Sequence, residues 1–101
     1  MSVYRTKIFR MIGEYYWLIE KQGTAIKWWS KAIKEGIRLG ARPDLWRTYF
    51  KVGQRLLDTQ RNYKELNGID AKGYLRKAGV MFGEMDFQYD LDELERMIAN
   101  T

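Results

Sequence analysis

Residues 13–32 read GEYYWLIEKQGTAIKWWSKA, and residues 53–78 read GQRLLDTQRNYKELNGIDAKGYLRKA. One pattern runs through both stretches. Gly13, Tyr16, Ala25, Trp29 and Ala32 in the first are matched by Gly53, Leu56, Ala71, Leu75 and Ala78 in the second. The spacing Ala-x3-large-x2-Ala is identical in both, and a small residue stands one helix earlier each time. A motif of small and large residues that recurs once per pair of helices marks a helical-repeat architecture, in which each unit buries its apolar face against its neighbours. The expected fold class is therefore all-α.

Working outward, helix one is expected from about Val3 to Gln22, with Ile8, Phe9, Ile12, Tyr16 and Ile19 as its inward stripe at three- and four-residue steps. Gly23 is expected to stop it and Thr24 to cap helix two, whose inward residues are Ala25, Trp29, Ala32, Ile33 and Leu39. Gly40 followed by Pro43 is a helix-end signature. Asp44 repeats the capping logic for helix three, with Leu45, Tyr49, Val52, Gly53 and Leu56 inward. From Asp58 to Leu66 the pattern allows two outcomes: helix three extends by some turns, or a loop folds back over the core. Asn67-Gly68 is a turn signal. Asp70 caps helix four, with Ala71, Leu75, Ala78 and Phe82 as its stripe. Asp90 and Glu93 form a capping box that predicts a short helix five over 90–99. Asp44 and Asp90 stand 46 residues apart, as do Ala32 and Ala78. Gly36, Gly73, Gly79 and Gly83 fall inside helices two and four; they either permit close helix approach or weaken the helix, and the latter suits Gly73 and Gly83, which lie off the stripe.

Composition narrows the chemistry. The 101 residues form one domain (1–101) and contain neither cysteine nor histidine. Disulfides, thiolate chemistry and Cys-based zinc sites are thereby excluded, and the commonest general base and metal ligand is missing. The carboxylates Asp86, Asp90, Asp92 and Glu93 lack the glycine and distal glutamate of a calcium loop. No Gly-rich phosphate loop, nucleophile elbow or paired-acid constellation stands out. The expectation is no enzyme, no cofactor and no metal. Nothing approaches the ~20 apolar residues of a membrane span, and the start lacks a signal-peptide core; both suit a cytoplasmic protein with no membrane partner.

Charge is unevenly distributed. Residues 1–50 hold ten Lys/Arg against four Asp/Glu, a net of +6, whereas residues 51–101 hold eight against nine, a net of −1. From Glu84 onward there are six acids and Arg96 as the one base. A basic first half suits an acidic peptide or a phosphate backbone; head-to-tail complementarity between repeats or chains is the alternative.

Phe9, Ile12-Gly13, Tyr16, Ala25, Trp29 and Ala32, answered by Tyr49, Val52-Gly53, Leu56, Ala71, Leu75 and Ala78, resemble the tetratricopeptide repeat. That unit is a helix–turn–helix of ~34 residues. The stretch Leu39-Gly-Ala-Arg-Pro-Asp-Leu45 is similar to long repeats in arrays attached to bacterial nucleotide cyclases, ATPase-type regulators and transcription regulators. Two departures stand out: the first repeat runs on to Asp44, and the second has six extra residues between Gly53 and Ala71 relative to Gly13 and Ala25. The resemblance implies a right-handed α-α superhelix of about five antiparallel helices: repeat one over 5–43, repeat two over 44–89, and a closing helix over 90–99. It implies a protein-protein interaction scaffold whose first helices line a groove. The groove positions fall on Lys7, Arg10, Met11, Glu14 and Trp17, and on Arg47, Phe50, Lys51 and Gln54. Four cations with Trp17 and Phe50 suit an acidic peptide or a C-terminal carboxylate, although no asparagine completes the family's carboxylate clamp in helix one or three. The plainer reading is a solvated basic face.

Trp28 and Trp46 lie off the main stripes, as interface residues or as packing between repeats. Lys27, Lys31, Lys34 and Arg38 ridge helix two, and nucleic-acid binding through them is the lesser expectation. Fewer than three full repeats leave end faces unburied. Either a homodimer through a terminal helix or a piece of a longer protein is thus expected, with a cassette that binds only itself as the rival to a scaffold.

Overall fold

The computed structural model describes residues 4–58 and 62–100. In chain order the elements are α1 (Tyr4–Leu18), α2 (Gln22–Leu39), α3 (Arg42–Leu56), an antiparallel hairpin of β1 (Glu65–Leu66) and β2 (Ile69–Asp70), and α4 (Ala71–Ala99). The all-α class holds, with the hairpin as its one sheet among the described residues.

The motif that opens the sequence is the packing code. An atom added at Gly13 as Cβ would stand 2.4 Å from the Trp29 indole, and one at Gly53 would stand 2.7 Å from Leu75. Each glycine is the hole into which the large residue of the next helix fits, so α1 closes on α2 and α3 closes on α4. Both pairs are antiparallel. Gly36 sits against Thr6 while Gly13 sits under Trp29. In the second pair Tyr49 stacks on Tyr74, with ring centroids 5.7 Å apart, and Trp46 meets Phe82 at 5.1 Å. Across the middle, Gly36 admits Leu45 and joins α2 to α3.

Trp17, Trp29, Val52, Leu66 and Tyr74 are each 2% exposed or less and form the centre of the core. Trp17 and Trp29 stack at 5.3 Å. The Trp29 indole N–H donates to the Arg10 carbonyl at 3.3 Å, and the Tyr74 hydroxyl donates to the Leu66 carbonyl at 2.6 Å. Both bonds satisfy a polar tip carried inward by an aromatic ring.

Several helix ends differ from the sequence reading. α1 stops at Leu18 because Glu20 adopts a left-handed conformation (φ 64°) and Lys21 N–H reaches back to the Tyr16 carbonyl at 2.8 Å. Gly23 therefore lies inside the first turn of α2, where a Cβ would meet the Tyr63 hydroxyl at 2.9 Å. Thr24 is not the cap; Lys21 holds that position and makes no side-chain cap bond. Likewise Ala41, not Asp44, precedes α3, with Pro43 in its first turn, where a missing N–H costs nothing. Gly40 does end α2: it takes φ 64°, and Ala41 N–H donates to the Gly36 carbonyl at 3.0 Å. Asp70 does cap α4, its carboxylate accepting from Gly73 N–H at 2.9 Å.

Between α3 and α4 the chain takes the second of the two expected courses. Asn67 and Gly68, at φ 53° and 80°, make the tight turn of the hairpin. Leu66 is buried, and Asn67 bonds to Ser30 on α2. Residues 59–61 of this expected segment lie outside the described residues, as do Met1–Val3 at the start of helix one.

The expected closing helix is absent as a separate element. α4 runs unbroken for 29 residues, about 43 Å at 1.5 Å per residue. No breaker lies between Gly83 and Ala99, and the Asp90–Glu93 box is solvated helix surface. Near the start of α3, α4 is held by the Arg42–Glu84 ion pair at 2.6 Å, and Met85, Gln88, Tyr89 and Asp92 border a cleft with Gly40, Arg42 and Pro43. Past Met85, every residue to Asn100 is exposed except Leu91 and Glu93. Among the described residues four helices, one of them overhanging, stand where five were expected.

Candidate interaction surface

α1 is apolar on two faces. Its inner face carries Thr6, Gly13 and Trp17, all buried. Diametrically opposite lie Tyr4, Ile8, Met11, Tyr15 and Leu18, each 50–67% exposed. Ile8 and Ile19, expected inward, are exposed, while Phe9, Ile12 and Tyr16 are half-buried on the flank. Between the two faces lie Arg5, Lys7, Arg10 and Glu14, so the outer row is an apolar strip edged by charge.

α3 runs alongside α1, and the contact between them is ionic. Arg10 Nη1 lies 3.2 Å from Asp44 Oδ1. Arg55 Nε donates to Glu14 Oε2 at 3.0 Å and Nη2 closes the second arm of the fork, while Lys51 Nζ stands 3.9 Å from Glu14. The hydrogen bond from Arg55 raises its pKa above the usual arginine value. Over this ladder lies a shallow furrow of about 350 Å³ lined by Arg10, Met11, Glu14, Tyr15, Leu18 and Lys51.

Of the expected groove, Arg10, Met11, Glu14 and Lys51 do come together. The rest disperse. Trp17 is buried (1% exposed) against Trp29 and presents nothing to a ligand; the groove position assigned to it belongs to the core, because small Gly13 and Ala25 leave room for both indoles. Lys7 is exposed at the edge of the outer stripe. Arg47 and Gln54 stand exposed on the crest of α3, Arg47 over the Trp46 ring and 3.9 Å from Asp44. Phe50 faces the other way, into an apolar furrow of about 410 Å³ between α3 and α4, together with Trp46, Leu75, Ala78, Gly79 and Phe82. Phe82, expected inward, is 53% exposed there. The single basic groove is thus two furrows, one charged at its floor and one apolar. Arg10, Lys51 and Arg47 all stand beside carboxylates, and Lys7 and Arg47 are the more exposed cations of the expected set.

Trp28 packs within the first hairpin, 5.6 Å from the Phe9 ring, with the Lys31 ammonium 4.5 Å from its own centroid. On the same ridge Arg38 pairs with Glu35 at 2.7 Å.

The outer α1 stripe was legible only as spacing: 4, 8, 11, 15 and 18 follow steps of four and three. A second such stripe is Phe87, Leu91, Leu94 and Ile98 on the overhang of α4. Among the described residues no three His, Cys, Asp or Glu side chains gather as a metal site, and no helix is long and apolar enough to cross a membrane.

The chain matches no protein-family model, and no curated protein or solved structure is significantly similar to it. Geometry alone therefore carries the functional argument.

Proposed function

We propose that this chain is a protein-protein interaction module of tetratricopeptide-like type, and that its recognition surface is the outer face of α1 with the adjoining α1–α3 furrow. The ligand that fits is an acidic amphipathic helix or peptide. The observation that carries this is the exposed row Ile8, Met11, Tyr15 and Leu18, edged by Lys7 and adjoining a furrow where Arg10 pairs with Asp44 and Lys51 with Glu14. Burying one such side chain fully contributes ~1.5–3 kcal/mol, so a partner laid along the row gains affinity from apolar contact and orientation from charge. The paired hairpins, with Gly13 under Trp29 and Gly53 under Leu75, support the repeat reading.

The test is a titration of the full chain with a labelled acidic amphipathic peptide, followed by fluorescence anisotropy. Binding is expected to weaken with salt and to be lost in Met11→Glu, while Lys31→Glu on the opposite ridge leaves it unchanged. Equal binding by Met11→Glu and the unsubstituted chain sinks this reading. Loss in Lys31→Glu alone would move the surface to α2 and favour the nucleic-acid alternative.

A further inference from the structure

The overhang of α4 has the chemistry that the outer face of α1 is suited to receive. Phe87, Leu91, Leu94 and Ile98 recur at steps of four, three and four, the spacing of a coiled-coil seam. Phe87, Leu94 and Ile98 are 54–64% exposed, and the helix here has passed beyond α3. On α1 the seam Tyr4, Ile8, Met11, Tyr15 and Leu18 follows the same alternation. At 1.5 Å per residue the two rows are about 21 Å and about 17 Å long. They share a period, and the α4 row has one residue fewer than the α1 row.

Their borders are opposite in sign. Arg5 and Lys7 flank the α1 row, on a helix with three cations against Glu14, whereas Asp90 and Glu95 flank the α4 row within a run of six acids against Arg96. Charges beside such a seam select the partner. Two α4 overhangs set together would place acid beside acid, and two α1 faces would bring together helices that each carry an excess of cations; the mixed pair is complementary. Within one chain α4 packs on α3 and runs on past the α2–α3 corner, and α1 and α4 are not among the helices packed on each other, so its seam does not lie on its own α1.

We infer that the partner of the α1 face is the α4 overhang (residues 84–99) of a second copy of this chain. This rests on the recognition surface assigned above and names its occupant. A reciprocal arrangement closes as a two-fold dimer; a one-way arrangement adds copies head to tail.

The test is molar mass by light scattering on the full chain over a range of concentrations. The mass is expected to rise above the monomer value of 12.1 kDa, towards twice it for the reciprocal pair or further for the open series. Leu94→Glu, on the solvent side of the overhang, is expected to return it to the monomer with helix content unchanged. Asp90→Lys with Glu95→Lys should weaken association roughly tenfold, since charge beside a buried seam tunes affinity on this scale. Adding Arg5→Glu with Lys7→Glu in the same chain should restore it. A monomer at every concentration overturns the inference, and so does a dimer indifferent to Leu94→Glu or one that the four-fold charge exchange fails to restore. A monomeric chain that still binds the acidic amphipathic peptide through Met11 overturns the self-pairing alone; one that binds neither overturns the recognition surface as well.

Discussion

Gly13 and Gly79 are both helical glycines, yet their surroundings make opposite demands. A methyl at Gly13 would lie 2.4 Å from Trp29 Cδ1 and Nε1, and the indole cannot yield because it is buried and bonded to the Arg10 carbonyl. Gly13→Ala is expected to cost about 1–3 kcal/mol, the range for an overpacked core, measured as a shift of the urea midpoint. Gly79 has nothing within 4 Å of where its Cβ would stand, so Gly79→Ala is expected to stabilise by up to ~1 kcal/mol through helix propensity. The same experiment giving equal and small changes at both sites would remove the glycine-hole account of the hairpins. Tyr74 supplies a pH test. Burial first, and the neighbouring Tyr49 second, push its hydroxyl up to about 12 from the ordinary 10. A phenol whose pKa is higher folded than unfolded contributes stability that is complete below pH 10 and is lost as pH rises through 12. The loss is on the order of 2–3 kcal/mol at one pKa unit per 1.36 kcal/mol. Denaturation midpoints between pH 9 and 12 should fall, and should fall less steeply in Tyr74→Phe.

At the scale of elements, the ends set by local chemistry were legible in the sequence and the ends set by tertiary context were not. Gly40, Asp70 and the Asn67-Gly68 turn act as their residue types dictate, because a left-handed glycine, an N-cap carboxylate and a two-residue hairpin need nothing from afar. Removing the cap by Asp70→Ala is expected to cost about 1 kcal/mol, read from the thermal midpoint. Gly23 and Glu20 misled for the opposite reason. Glycine at 23 answers to the Tyr63 ring arriving from forty residues on, and a glutamate takes the left-handed position that sequence assigns to glycine. In α1, two apolar stripes overlap within fifteen residues. The expected inward stripe straddles them, taking Ile8 and Ile19 from the exposed side and Phe9, Ile12 and Tyr16 from the flank; the small residue Gly13, paired with Trp29, decides which face the core takes. Trp17 comes to the groove through the repeat resemblance, and its burial against Trp29 places it in the core. Asp90 failed as a helix start because a capping box stops nothing without a breaker before it, and α4 continues through it.

The whole molecule is elongated, 57 × 30 × 21 Å, with its core at the junction of the two helical hairpins and an overhang at one end. Its two exposed apolar rows lie on its first and last helices, one edged by lysine and the other by carboxylate. Helical repeats gain stability mainly at the interfaces between neighbours, and the proposed pairing of α1 with the α4 overhang of another copy extends that rule from repeats to chains. Salt should weaken such a pairing without abolishing it, since the charges screen and the apolar seams do not.

The most direct measurement is a dilution series of the isotope-labelled chain followed by backbone amide shifts. The account predicts that shifts along the outer face of α1 and along residues 84–99 change together with concentration, while those around Lys31 and Lys34 on α2 stay fixed. Shifts that are invariant in both segments, or that move on α2 instead, would contradict it.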